Sequence, residues 1–280
     1  MAILPAAPST GIVFVRTDRG HHEIPAIAAN VVETRLATTL GKDGVSVGTV
    51  EHLLAALAGL GVDNAHVELD GPEVPIMDGS AAPFVEQVLR AGGTVAQSRP
   101  KRFLVVKRTI EVSEGPGRFA RLEPAASFQL DCFIDFAHPL VSKQRVSLEF
   151  SDRAFFELVA RARTFGFGRD VDAMQRAGLA LGGSLDNAVV IDDYSVRNPD
   201  GLRFPDEFAR HKLLDAIGDL SLAGAPIVGR YVGSRSGHAL NTQLVRAMLA
   251  DQRTFERVEF RQRRQAEGRG LALPVLELVS

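Results

Sequence analysis

His211 and Asp215 stand one helical turn apart in the run Arg210-His-Lys-Leu-Leu-Asp-Ala-Ile-Gly-Asp219. That spacing puts an imidazole and a carboxylate on one helix face, about 5–6 Å apart at Cβ, close enough to grip a single metal ion. The rest of the ligand set has to come from elsewhere. A second helix-like segment, Thr49-Val-Glu-His-Leu-Leu-Ala-Ala-Leu-Ala58, carries Glu51-His52 in an apolar frame. If His52 completes the set, two helices from opposite halves of the chain must meet, and no other feature restricts the architecture as much. Two His and one Asp leave the fourth position of a zinc ion open for water, with Glu51 beside it as a base. This arrangement reads as a hydrolase.

At 280 residues the chain exceeds the usual size of one domain, so two domains with separate cores are expected. Its 32 basic and 34 acidic residues are spread along the chain and leave a net charge of only −2. That balance gives no reason to expect a nucleic-acid or anionic-membrane surface. Cys132 is the only cysteine, which rules out an intramolecular disulfide and a thiolate zinc knot and fits a reducing cytoplasm. The opening Met1-Ala-Ile-Leu-Pro-Ala lacks a cationic start followed by an apolar core, and no stretch approaches the ~20 apolar residues of a membrane span. A cytoplasmic location and no membrane span are expected.

The apolar pattern over 49–58 is helical and ends at Gly59 and Gly61, while 64–69 alternates like a strand and 82–89 resumes a helix with Pro83 in its first turn. Before residue 12 a Pro-bearing stretch shows no recognisable element. Residues 91–100 lose periodicity and gather Gly, Ser and Pro, which places a domain boundary there. The expected division is an N-terminal α+β domain over 1–99 and a C-terminal α+β domain over 100–280. Strands are expected over 103–112, 118–122, 128–136 and 144–150, a helix over 154–162, and the long metal-bearing helix over 206–222. His52-Leu-Leu-Ala-Ala-Leu57 and His211-Lys-Leu-Leu-Asp-Ala-Ile217 match with one residue inserted. Such a repeat implies two similar layered sheet-and-helix domains whose equivalent helices meet at the interface.

Five segments carry a more specific resemblance: Thr49-Val-Glu-His-Leu-Leu-Ala-Ala-Leu57, Ile76-Met-Asp-Gly-Ser-Ala-Ala-Pro-Phe84, Ala162-Arg-Thr-Phe-Gly-Phe167, Arg210-His-Lys-Leu-Leu-Asp-Ala-Ile-Gly-Asp-Leu220 and Ser236-Gly-His-Ala-Leu240. Together and in this order they resemble the motifs of the UDP-3-O-acyl-N-acetylglucosamine deacetylases, zinc enzymes that remove an acetyl group in the committed step of lipid A synthesis.

The resemblance implies that His52, His211 and Asp215 are the zinc ligands, the same three that the residues themselves suggest. Iron(II) suits the same donors. Glu51 matches the family's general base. Read alone it would only complement a helix dipole, and its place beside a ligand is what changes that reading. His238, in a Gly-flanked loop, matches a second catalytic residue that as an imidazolium would stabilise the oxyanion and protonate the departing amine. Its pKa must be raised for that, and Asp219, on the same helical stripe as His211 and Asp215, is placed to orient and charge it. Thr164 matches a hydroxyl that hydrogen-bonds the acetyl oxygen, and Lys212 should reach a charged or hydroxylated part of the substrate. Asp135-Phe136 resembles the pair that recognises the uracil. An insert around 164–191 supplies an apolar passage for the acyl chain, in which Phe165, Val171 and Leu185 are expected to line the channel, though such residues also serve ordinary cores.

Relatives open with a further segment that this chain lacks, which predicts a first sheet short of one strand and a start codon assigned too late. Two rivals stand beside the deacetylase reading: a metallo-amidase acting on another acylated sugar, and a truncated, non-catalytic metal- or nucleotide-binding module. A monomer is expected.

Overall fold

The computed structural model describes residues 1–169, 182–262 and 276–278. It is an α+β architecture of two layered sheet-and-helix domains. In the first, a four-stranded sheet runs in the order Ala2–Pro5, Ala65–Leu69, Ile12–Arg16, His22–Pro25. The edge strand Ala2–Pro5 corrects the sequence reading, which saw no element before residue 12. It is held by antiparallel backbone pairing with Ala65–Leu69, a bond type that side-chain patterning does not reveal. A three-stranded sheet, Val31–Glu33, Thr39–Lys42 and Val45–Val47, leads into helix α1, Glu51–Gly59, and helix α2 spans Ala82–Arg90.

The second domain is built on an eight-stranded sheet centred on Ile227–Ser234. One edge of this strand pairs in parallel with Phe128–Ile134. Its other edge is shared, first by Leu104 and Val105 and then by Phe119–Glu123. Burial alternates residue by residue along it, the pattern of a strand with one face in a core. Its two glycines weaken the strand signal in the sequence but are required by packing. A Cβ at Gly229 would stand 2.6 Å from Val106 Cγ2, and one at Gly233 would stand 2.5 Å from the Tyr231 hydroxyl.

Two expected elements shift for local reasons. The strand expected over 103–112 breaks into Lys101–Val106 and Ile110–Ser113, because the amides of Lys107 and Arg108 turn to the Thr254 carbonyl at 2.7 and 3.3 Å. The helix expected over 154–162 is α3, Asp152–Leu158, which starts earlier because Ser151 caps it, its hydroxyl accepting the Ala154 amide at 3.1 Å.

Helix α4, Glu207–Ser221, is packed between α1 and the strands Phe128–Ile134 and Gln144–Glu149. Helix α5, His238–Ala250, lies against α4 and the strands Ile110–Ser113 and Phe119–Glu123. Both α1 and α4 are buried on nearly every face, so each polar side chain they carry has to be satisfied inside the protein. The helices approach at a single glycine: a Cβ at Gly218 of α4 would stand 2.1 Å from the Glu51 carbonyl oxygen.

Candidate active site

The crossing of α1 and α4 brings His52 to the pair His211 and Asp215 that spacing singled out. His52, in the first turn of α1, points Nε2 at Asp215 Oδ1 from 3.6 Å, and His211 points Nε2 at the same oxygen from 3.3 Å. All three donor atoms lie within 4.8 Å of one another, and the two rings meet edge to face at 4.9 Å. In a tetrahedral zinc set with bonds of ~2.0–2.1 Å the donor atoms stand about 3.3–3.4 Å apart, so the cluster needs little adjustment to take such an ion.

Protonation favours the same use. His211 Nδ1 lies 3.1 Å from the Ala162 carbonyl, which can only accept, so Nδ1 carries the proton and Nε2 keeps its lone pair for the cluster. Burial drives the His211 pKa down to about 3, which keeps the ring neutral. Burial opposes ionisation of Asp215, but nearby cationic groups, the Lys212 ammonium among them, outweigh it and hold this carboxyl well below the usual range. Among the described residues, Asp215 Oδ1 is a buried acceptor without a hydrogen-bond partner. A buried carboxylate oxygen facing the Nε2 atoms of two imidazoles offers the oxygen and nitrogen donors that a divalent cation takes.

Glu51 and His238 flank this cluster. Glu51 Oε2 accepts the Thr38 amide at 3.0 Å, and Oε1 lies 4.0 Å from His238 Nε2. Burial raises the Glu51 pKa above its ordinary value, partly offset by His238 and His52. His238 is not in a loop, as the sequence reading had it. It is the first residue of α5, with Gly237 in extended backbone as the cap position. A helix N-terminus disfavours a positive charge, and burial does too, yet Asp219 outweighs both. Its Oδ2 lies 2.9 Å from His238 Nδ1, and the His238 pKa is raised to about 9. The second ring nitrogen then faces Glu51 and, at 3.9 Å, Asp215 Oδ2.

A cleft of 340 Å³ reaches His238 and is lined among others by Thr34, Leu36, Phe136, Thr164, Phe165 and Lys212. Lys212 donates to Asp215 Oδ2 at 2.9 Å and lies over the Phe165 ring at 5.7 Å. Burial works against its charge, but Asp215 outweighs it and the pKa stays above the ordinary lysine value. Thr164 is positioned through its backbone, its amide donating to Gly79 and its carbonyl accepting from Val189, both at 2.8 Å. The Ile76-Met-Asp-Gly-Ser80 run is thus part of the cleft wall's support. Gly79 has φ +80, and a Cβ there would stand 2.0 Å from the Asn187 carbonyl oxygen, while Asp78 pairs with Arg203 at 2.8 Å.

Not every expected binding residue gathers here. Phe136 and Phe165 line the cleft and their rings meet at 5.7 Å. Asp135 does not line it: it follows the end of the strand Phe128–Ile134, in irregular backbone, and its neighbour Phe136 takes the cleft position instead. Leu185 is 43% exposed and also stands apart from the cleft, in a turn whose carbonyl accepts from Asn198. Val171 lies outside the described residues.

Sequence reasoning missed Thr38, Asn241 and Tyr231. The Thr38 hydroxyl donates to Asp219 Oδ1 at 2.6 Å, the Asn241 amide donates to Oδ2 at 2.9 Å, and the Tyr231 hydroxyl donates to Asn241 Oδ1 at 2.7 Å, which orients that amide. Only Asn241 left a trace in the sequence: it follows His238 by three residues, one helical turn, once 238 is read as a helix start.

A family model described as UDP-3-O-acyl N-acetylglycosamine deacetylase matches residues 1–250. The chain is 55% identical over 272 residues to the UDP-3-O-acyl-N-acetylglucosamine deacetylase of Myxococcus xanthus, covering 97% of this chain and 86% of that protein. It is 51% identical over 267 residues to the deacetylase of the same name from Acidithiobacillus ferrooxidans, covering 94% and 87%. With the Shewanella oneidensis protein of that name the identity is 52% over 264 residues, covering 93% and 86%.

Proposed function

The chain belongs to the UDP-3-O-acyl N-acetylglycosamine deacetylase family and is an enzyme, and from that premise we propose that it hydrolyses the N-acetyl group of UDP-3-O-acyl-N-acetylglucosamine with a divalent metal, zinc first, held by His52, His211 and Asp215. The products are acetate and the free amine, and the reaction would serve lipid A synthesis in the cytoplasm. The observation that carries this reading is the convergence of two imidazole nitrogens and one carboxylate oxygen within 4.8 Å, flanked by Glu51 and His238.

Lewis-acid polarisation of the acetyl carbonyl and a water pKa lowered from ~15.7 toward ~7 are what such an ion supplies when bound. The chain's own groups do the rest. Glu51, held at Oε2 by the Thr38 amide, takes a proton from the attacking water through its other oxygen. Its burial brings its basicity closer to neutrality, where proton transfer is most efficient. His238, charged through Asp219, donates its Nε2 proton first as a hydrogen bond to the developing oxyanion and then outright to the departing nitrogen. The Thr164 hydroxyl adds a donor at the acetyl oxygen, and Lys212 offers an ammonium to the anionic substrate from the cleft wall. Phe136 and Phe165 offer aromatic faces to the nucleoside or acyl parts.

Metal content per chain and acetate release test this together. Purified protein is expected to hold one zinc and to turn over the acylated UDP-sugar. His211→Ala should lose both metal and turnover, whereas Glu51→Ala should keep metal and lose turnover. Undiminished turnover in Glu51→Ala would overturn the mechanism. Equal rates on UDP-N-acetylglucosamine without its acyl chain would remove the acyl-binding part of the reading.

A further inference from the structure

Thr38 is fully buried and uses all of its polar groups between elements that carry the candidate chemistry. Its amide donates to Glu51 Oε2 at 3.0 Å, its hydroxyl donates to Asp219 Oδ1 at 2.6 Å, and its carbonyl accepts the amide of Val50, just before α1, at 3.2 Å. One residue therefore touches both the carboxylate next to His52 and the carboxylate behind His238.

The two oxygens of Asp219 have different partners. Oδ2 receives His238 Nδ1 and Asn241 Nδ2, each at 2.9 Å. Among the described residues, the Thr38 hydroxyl is the hydrogen-bond donor to Oδ1. The terminal torsion of an aspartate is soft, so without that donor the carboxylate plane is free to turn about the Cβ–Cγ bond and present either oxygen to the imidazole at a poorer angle. Thr38 also closes the segment containing Thr34 and Leu36, which line the cleft. Leu36 has φ +81, a strained conformation for a leucine, and it persists only where its flanks are pinned.

We infer that Thr38 is a positioning residue for the deacetylation, a clamp that sets the Asp219 carboxylate behind His238 with its hydroxyl while its amide sets Glu51. This rests on the deacetylase reading above. It assigns Thr38 no contact with substrate or metal. The two functions are separable, because a side-chain substitution removes the hydroxyl and leaves the amide.

Thr38→Val and Thr38→Ala both remove the hydroxyl, and Thr38→Ser keeps it. In the first two, kcat is expected to fall roughly ten- to a hundredfold, the worth of a hydrogen bond to a charged group, with KM within about twofold. Thr38→Ser should recover most of the rate. The Nδ1 proton resonance of His238, identified by its loss in His238→Ala, should move in both hydroxyl-free variants and return in Thr38→Ser, whether or not substrate is turned over. Melting temperature and metal content of each variant report on folding. A resonance and kcat that ignore the hydroxyl would overturn the inference, and so would a loss of rate that merely tracks metal or stability and is not rescued by serine. If the resonance follows the hydroxyl but the wild-type protein does not deacetylate the UDP-sugar, the clamp is supported and the deacetylase reading fails.

Discussion

Gly218 lies against the backbone of Glu51, so closely that a Cβ on it would stand 2.1 Å from the Glu51 carbonyl oxygen. This contact sets how near α4 comes to α1, and with it the distance from His52 to His211 and Asp215.

Gly218→Ala should therefore be destabilising despite the better helix propensity of alanine. Propensity favours the substitution by ~0.8–1.0 kcal/mol. The obstacle is a backbone oxygen inside a buried helix, which no rotamer change can move, and overpacking of this kind costs about 1–3 kcal/mol. Urea denaturation should show a net loss of stability, and metal content should fall with it. An alanine variant at least as stable as the parent would refute the account.

The raised pKa of His238 predicts an alkaline limit to activity. With His238 protonated as the working form, kcat/KM should fall as pH rises through about 9, and a bound cation's charge will draw that limit lower. The acid limb, from Glu51, should lie above the ordinary glutamate range because burial raises that carboxyl. For stability the sign is the same as for the alkaline limb. A histidine raised above its unfolded value of 6.5 adds stability that is fully present below that value and is lost as pH rises through about 9. Asp219→Asn removes the main cause, so the histidine titration followed by NMR should drop in pH; an unchanged midpoint would count against Asp219.

Removing the metal should lower stability as well as activity, since an ion that binds only the folded chain stabilises it by about 2.7 kcal/mol at a hundred times its dissociation constant. Melting temperature should climb with added zinc in the parent and stay flat in His211→Ala. A zinc response that survives the substitution would place the ion elsewhere.

Arg163 and Glu207 form a buried pair, with Nε to Oε1 at 2.9 Å and Nη2 to Oε2 at 3.1 Å, that ties the backbone just before Thr164 to the start of α4. Glu207 is fully buried. Arg163→Met leaves that carboxylate without its guanidinium and should cost about 3–5 kcal/mol. Thr164 should be displaced with it, so kcat of the folded fraction should fall; a stable variant with normal kcat would contradict this.

The parts of the site legible in the sequence are those set by local geometry. His211, Asp215 and Asp219 share a helix stripe because the helical repeat places them there, and the Glu51-His52 pair stands out because two ionisable groups open an apolar helix. The residues expected to bind uracil and acyl chain were harder to place for the opposite reason. Phe136 reaches the cleft while Asp135 and Leu185 do not; Asp135 and Phe136 follow the end of the strand Phe128–Ile134 and Leu185 sits in a turn, where no helical or strand period fixes which side chain turns inward. Position 238 was misread as loop because Gly237 breaks the pattern just where α5 begins.

By itself, then, the sequence determined the α+β class, the two helices and the chemical types they carry, since helical and strand periodicities are written in neighbouring residues. Only the tertiary structure decided that His52 meets His211 and Asp215, and that Thr38 reaches Asp219 across 181 positions of chain. Contacts of that range follow from how buried faces pack and how closely a glycine lets two backbones approach, and neither is encoded in any local spacing.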